Sequence, residues 1–279
     1  MKLFFASPIP RYVKLLKEEN ASNFLVSYAT KNICVSIIKD GNLDSGDSLI
    51  IDSGAFSAWT KNVKINLSEY IDFCHETVKL KPCNNIYFIN LDVIPGSFGK
   101  RPTNEQIEES AKKGMENYQI MKRAGLKVMP VFHQHEDFKW LKEMIKEIDY
   151  IGISPANDVS VKRRINWLKK VYSLMKADYK THLFGFTAFE ALKQFPCYSA
   201  DSTSWLAPAR YGQYVTFDKD KIKTFRGRDK KLTNESYMMI RDRETKGMNI
   251  EIIRLQVIEL LKIQSYITRL WEKRGIKWD

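Results

Sequence analysis

Short apolar runs recur along the chain, and between them apolar residues return every third or fourth position. The pattern therefore alternates strand-like and helix-like segments. Lys2–Ala6 reads as a first strand. Residues 10–38 read as mostly helical, although Phe24-Leu25-Val26 and Ile33-Cys34-Val35 each fit a strand as well. Leu49-Ile50-Ile51 is a short buried strand. Asn66-Leu67-Ser68-Glu69 has the form of a capping box and opens a helix to about Leu80.

Residues 85–92 form a strand that ends in an acid, Asp92. Thr103-Asn104-Glu105-Gln106 is a second capping box, and its helix runs to about Ala124, where Gly125 stops it. Strands follow at 127–132, leading to His133-Gln134-His135, at 150–154, at 182–186 and at 197–200, with Tyr211–Phe217 as a last one. Helices fall between them at about 137–147 and 160–176, and after Thr187, read as a cap. Residues 249–273 form a long amphipathic helix with Ile250, Ile253, Val257, Leu260, Leu261, Ile267 and Leu270 at helical spacing. About eight strand–helix units predict an α/β fold, a (β/α)8 barrel of the TIM type over residues 1–217. A basic helical extension over 218–279 is expected to pack on its outside.

Several predicted strands end in a polar residue: Asp52, Asp92, His133-Gln134, Ser154 and Asp201. In a barrel such positions converge on one mouth, where active sites lie. Asp52 and Ser53 have a plainer reading, either one as the cap of a helix over Ala55-Phe56-Ser57-Ala58-Trp59. Acids gathered in a cleft are costly unless they serve a substrate. A pair of them suits chemistry at an anomeric carbon, one attacking or stabilising the sugar cation and the other moving the leaving group's proton. The surroundings of Asp52 and Asp201 are small and neutral, so the site is expected to use neither metal nor other cofactor.

Composition narrows the setting. The 279 residues are 44% hydrophobic and 28% charged, and no run of about 18 apolar residues is long enough to span a membrane. The first residues are too short an apolar run for a signal peptide. The four cysteines, Cys34, Cys74, Cys83 and Cys197, show no C-x-x-C pairing and read as reduced thiols of a cytoplasmic protein, with Cys74 on an apolar helix face. The net charge is +12. Residues 210–279 hold 17 Lys and Arg against 10 Asp and Glu, more than half of that excess. A polyanionic partner, nucleic acid, follows naturally.

Asp52-Ser53-Gly54-Ala55-Phe56 resembles the Asp-Ser-Gly-Gly-Phe motif of tRNA-guanine transglycosylases. Ala200-Asp201-Ser202-Thr203-Ser204-Trp205, with Pro208-Ala209-Arg210 after it, resembles the nucleophile segment of that family. The likeness spans about residues 2–217 and is greatest to the short phage and bacterial relatives that insert 7-deazaguanine bases into DNA. It implies a pentosyltransferase in which Asp201 is the nucleophile and Asp52 the general acid/base. Asp92 and Gln134 would hold the edge of the base, Gly152 would touch it through its backbone, and Ser53 and His133 would assist. Two departures matter. Ala55 replaces the second motif glycine, and no Cys-x-Cys-x-x-Cys follows Asp201, so the zinc subdomain that helps the tRNA enzymes hold tRNA is missing. DNA is therefore the expected polymer, with a preQ0-like base as the second substrate. Arg210, Arg226, Arg228, Lys230 and Lys231 are the expected phosphate contacts, and Trp205 and Tyr211 are either base-stacking or core residues. The rival readings are exchange on tRNA, a catalytically silent barrel that binds nucleic acid or a deazapurine, and a hydrolytic glycosidase or N-glycosylase.

Overall fold

The alternation of buried runs and amphipathic stretches becomes a ring of parallel strands wrapped by helices. The computed structural model describes residues 1–40, 43–97, 100–226 and 250–278. In chain order the elements are β1 (Lys2–Ala6), α1 (Pro10–Glu18), β2 (Asn23–Ser27), α2 (Lys31–Lys39), β3 (Ser48–Asp52), α3 (Ala55–Thr60), α4 (Leu67–Leu80), β4 (Asn85–Ile89) and α5 (Asn104–Arg123). Then come β5 (Val128–Met129), β6 (Val131–His133), α6 (Phe138–Glu147), β7 (Tyr150–Ser154), α7 (Val161–Ser173), β8 (Lys180–Leu183), α8 (Phe189–Gln194) and β9 (Ser199–Ser202). The chain ends with α9 (Ala207–Tyr211), β10 (Gln213–Asp218), β11 (Lys221–Arg226) and α10 (Ile250–Lys273).

The large sheet has the order β5-β4-β3-β2-β1-β9-β8-β7-β6, and its registered pairs are parallel. Its two end members, β5 and β6, are one stretch of chain divided at Pro130, which has no N–H to donate. Asn90 N–H donates to Met129 O (3.0 Å) on one side, and Gly152 N–H donates to Pro130 O (2.8 Å) on the other. The ring closes through this stretch, leaving eight strand positions, the (β/α)8 arrangement expected from the sequence.

Successive strand residues face opposite sides, and the core has two shells for that reason. Phe4, Leu25, Ile50, Ile89, Met129, Val131 and Tyr150 fill the barrel. Their neighbours Phe5, Phe24, Ile51, Phe88, Phe132 and Ile151 pack outward under the helices.

The second strand of the ring is Asn23–Ser27, within the segment read as mostly helical, while Ile33-Cys34-Val35 lies in α2. Residues 211–217 are not a barrel strand. Gln213–Asp218 pairs antiparallel with Lys221–Arg226 in a separate hairpin. Helix α10 carries its apolar face, with Ile253, Val257, Leu260, Ile263, Ile267 and Trp271, into the outer shell between strands and helices. It lies against α8, α1 and β1, so it fills the eighth helix position of the ring. Its polar side chains satisfy backbone groups: Leu3 N–H donates to Gln264 Oε1 (2.7 Å), Val215 N–H to Gln256 Oε1 (2.8 Å) and Phe217 N–H to Glu259 Oε2 (2.6 Å). No helix among the described residues is long and apolar enough to cross a membrane.

Candidate active site at the carboxyl end of the barrel

The strand alternation that points Ile50 into the barrel also points Asp52, two residues on, inward at the carboxyl end of β3. Ser27, its register partner on β2, donates through Oγ to Asp52 Oδ2 (2.9 Å), and Gly54 N–H donates to the same oxygen (3.2 Å). Burial, then the negative charges of Asp92 and Asp201, push the Asp52 carboxyl up to about 6 against these two hydrogen bonds. Asp52 is not a helix cap. Gly54 is the residue before α3, and no side chain caps that helix.

Gly54 is fixed by its surroundings. Its φ is 79°, and a Cβ there would lie 2.6 Å from Ala29 Cβ and 2.8 Å from Ala29 N. The loop that carries Asp52 is thus seated on the loop that follows Ser27. Gly54→Ala is expected to cost about 2–5 kcal/mol, from left-handed strain and the forced separation of the two loops. Denaturant unfolding of the variant checks this, and unchanged stability would show that the two loops part freely.

Asp201 on β9 faces inward with Ser199, and its residue is only 7% exposed. Its Oδ1 accepts from Gly185 N–H (2.8 Å) and lies 3.3 Å from His182 Nε2. His182 is fully buried, one strand across on β8 in register with Ser199, and its Nδ1 is 2.6 Å from Ser199 Oγ. The Ser199 hydroxyl in turn meets the Tyr150 hydroxyl.

A third acid, Asp92, follows β4. Its Oδ2 is 2.7 Å from His133 Nε2, but off the line of a good hydrogen bond, so the contact is one of charge more than of direction. Burial by itself would lower the His133 pKa. Asp92 and then Glu136 outweigh burial and push it up to about 9. Glu136 also accepts the His133 backbone N–H (3.1 Å), and burial raises its own carboxyl.

The other expected residues fall in different places. Gln134 Oε1 accepts from Ala156 N–H (2.9 Å), and the Gln134 backbone N–H donates to Ser154 O (3.1 Å), so the residue anchors the loop after β7. Gly152 lies inside the barrel with its N–H already given to Pro130. A Cβ there would lie 2.4 Å from the Phe184 ring, so its bareness makes room for that ring. Ser53 is fully buried, and its Oγ has no hydrogen-bond partner among the described residues.

Arg210 is exposed on α9 and Arg226 ends β11, while Arg228, Lys230 and Lys231 lie outside the described residues. Tyr211 is 71% exposed. Trp205 is core: it is fully buried, donates to Ala6 O (3.0 Å) and meets Phe5 and Tyr12 edge-on. Thr187 does not cap α8, which begins after Ala188 without a side-chain cap.

The four cysteines are buried free thiols, and burial raises the pKa of each. Among the described residues no three His, Cys, Asp or Glu side chains come together as a set of metal ligands.

Of the three acids at the mouth, Asp52 and Asp201 stand in unlike settings. The Asp52 carboxyl is pushed up to about 6 by burial and its acidic neighbours, and Asp201 is held in orientation by donors from β8 and its following loop. That division equips a barrel for proton transfer by one acid and nucleophilic attack by the other. No protein-family model matches the chain, and no curated protein matches it. The class is defined by fold and site alone: a closed parallel α/β barrel with an acidic mouth.

Proposed function

We propose that the protein is a guanine transglycosylase that exchanges guanine in DNA for a 7-deazaguanine base of the preQ0 type. The observation that carries this reading is the contrast between Asp52 and Asp201 at one barrel mouth, on the two motifs that resemble those of the transglycosylases. Asp201 Oδ attacks C1′ of the target nucleotide as the bond from C1′ to the base nitrogen breaks. Asp52 gives its proton to the departing guanine. The incoming deazaguanine then returns a proton to Asp52 as its nitrogen bonds to C1′ and the bond to Asp201 breaks. A carboxyl with a pKa of about 6 suits this traffic in both directions.

The charge distribution supports the same reading. A net +12 draws a polyanion, while the acids meet the base and the developing sugar cation. The reacting bond lies at the barrel mouth, so the target nucleotide must leave its stack. Asp92, which has His133 beside it, would accept from the N–H edge of the base in this reading.

The test is nucleoside mass spectrometry of DNA and of tRNA, each incubated with purified protein and preQ0. Deazaguanine in DNA is the expected result. Deazaguanine in tRNA alone would move the activity to tRNA. Free guanine without incorporation would make the protein a hydrolase.

A further inference from the structure

We propose that His182 is a positioning residue for Asp201: a buried Tyr150–Ser199–His182 chain sets the ring tautomer so that Nε2–H points at the Asp201 carboxylate. The role of Asp201 as nucleophile rests on the function proposed above, whereas the chain itself stands on geometry.

The direction of the chain follows from counting hydrogens. Tyr150 is buried inside the barrel, and burial holds its phenol well above the ordinary range, so it keeps its proton. The Tyr150 hydroxyl meets the Ser199 hydroxyl, and an unpaired buried O–H is costly, so Tyr150 donates and Ser199 accepts. The hydrogen of Ser199 itself is then left for His182 Nδ1, 2.6 Å away. Nδ1 accepts, the ring proton sits on Nε2, and Nε2 faces Asp201 Oδ1 at 3.3 Å. Gly185 N–H meets the same oxygen from the loop after β8, leaving Oδ2 for the substrate.

The ring is clamped as well as bonded. Phe4 and Phe184 meet it edge-on, with centroids at 5.6 and 4.5 Å. Phe184 reaches that place because Gly152 has no side chain.

Serine, histidine and aspartate in one chain also resemble a hydrolytic triad, but the order is inverted. Ser199 is fully buried beneath the histidine and cannot meet a substrate, while Asp201 stands at the open end.

The first test is independent of activity. In intact protein labelled with 15N-histidine, with His182 assigned by its loss in His182→Gln, Nε2 should carry the proton. Ser199→Ala should shift the Nδ1 resonance, which loses the hydroxyl it accepts from, while Asp201 still favours the proton on Nε2. A proton on Nδ1, or no response to Ser199→Ala, would overturn the chain.

The second test separates positioning from packing. His182→Leu should lower kcat about 10- to 100-fold, the loss of one hydrogen bond to a charged group, with KM for nucleic acid unchanged. His182→Gln, whose amide nitrogen takes the place of Nε2, should recover at least tenfold over His182→Leu. Equal losses in both variants, or an intact kcat in His182→Leu, would reduce His182 to a core residue. If wild-type protein exchanges no base, the proposed function fails, and the tautomer measurement still decides the chain.

Discussion

Asp201→Asn should abolish base exchange, by about 10⁴-fold or more, while leaving the fold intact. On the proposed function, the size follows from removing the nucleophile of a covalent mechanism, which leaves only binding and positioning behind. The intact fold follows from shape. An asparagine oxygen at the place of Oδ1 still accepts from Gly185 N–H and from His182. Trapping sharpens the measurement. When wild-type protein meets DNA without an incoming base, a protein–DNA adduct should survive on a denaturing gel, and the variant should form none. Near-wild-type turnover in Asp201→Asn would falsify the nucleophile assignment and hand that role to Asp52 or Asp92.

The barrel could be read from the sequence because its strands are short, buried and closed by polar residues, as at Leu49–Asp52 and Tyr150–Ser154. Seven of the eight ring strands were legible; the eighth reads as Tyr211–Phe217 instead of Asn23–Ser27. Phe24-Leu25-Val26 sits between two amphipathic segments with no glycine or proline around it, so local pattern could not separate strand from helix. Its strand state comes from pairing with β1 and β3. Residues 213–218 do form a strand, but pair with β11 in a hairpin whose inner edge is covered by Gln256 and Glu259 of α10. Long-range partners decided both cases, and a window of a few residues contains none of them.

The acids of the site were legible because each follows an apolar run. His182 was not, because it stands inside a strand, where its neighbours Leu183 and Phe184 make it look like an edge of the core. The available signal was alternation: Ser199 and Asp201 share a face, and so do His182 and Phe184. Only the parallel register, with His182 opposite Ser199, brings those two faces together. The local role of Gly152 was hidden for a related reason. Gly152 looked like a backbone contact for a ligand, but its N–H belongs to the ring closure at Pro130 and its bare Cα belongs to Phe184.

Asp52→Asn should lose exchange and gain stability, and the gain should depend on pH. The Asp52 carboxyl sits at about 6 in the folded protein, above the ordinary carboxylate range, because burial and the charges of Asp92 and Asp201 penalise its ionised form. Below about pH 4 the group is protonated whether the chain is folded or not, so it costs nothing. As pH rises from about 4 to 6 the unfolded chain releases this proton and the folded chain holds it, so wild-type stability falls. Above about 6 both forms are ionised, and the full cost, at most about 3 kcal/mol, is present. Asparagine removes the charge, and its side-chain oxygen still accepts from Ser27 Oγ and Gly54 N–H. Denaturant unfolding at pH 4, 5, 6 and 7.5 should therefore show the two proteins nearly equal at pH 4. The variant should then pull ahead up to about pH 6 and keep a constant lead above it. On the proposed function the same proton would serve the departing guanine, so wild-type exchange should decline as pH rises through about 6. A variant less stable than wild type at pH 7.5, or a lead that ignores pH, would mean that Asp52 is comfortably ionised at the mouth and that another group carries the proton.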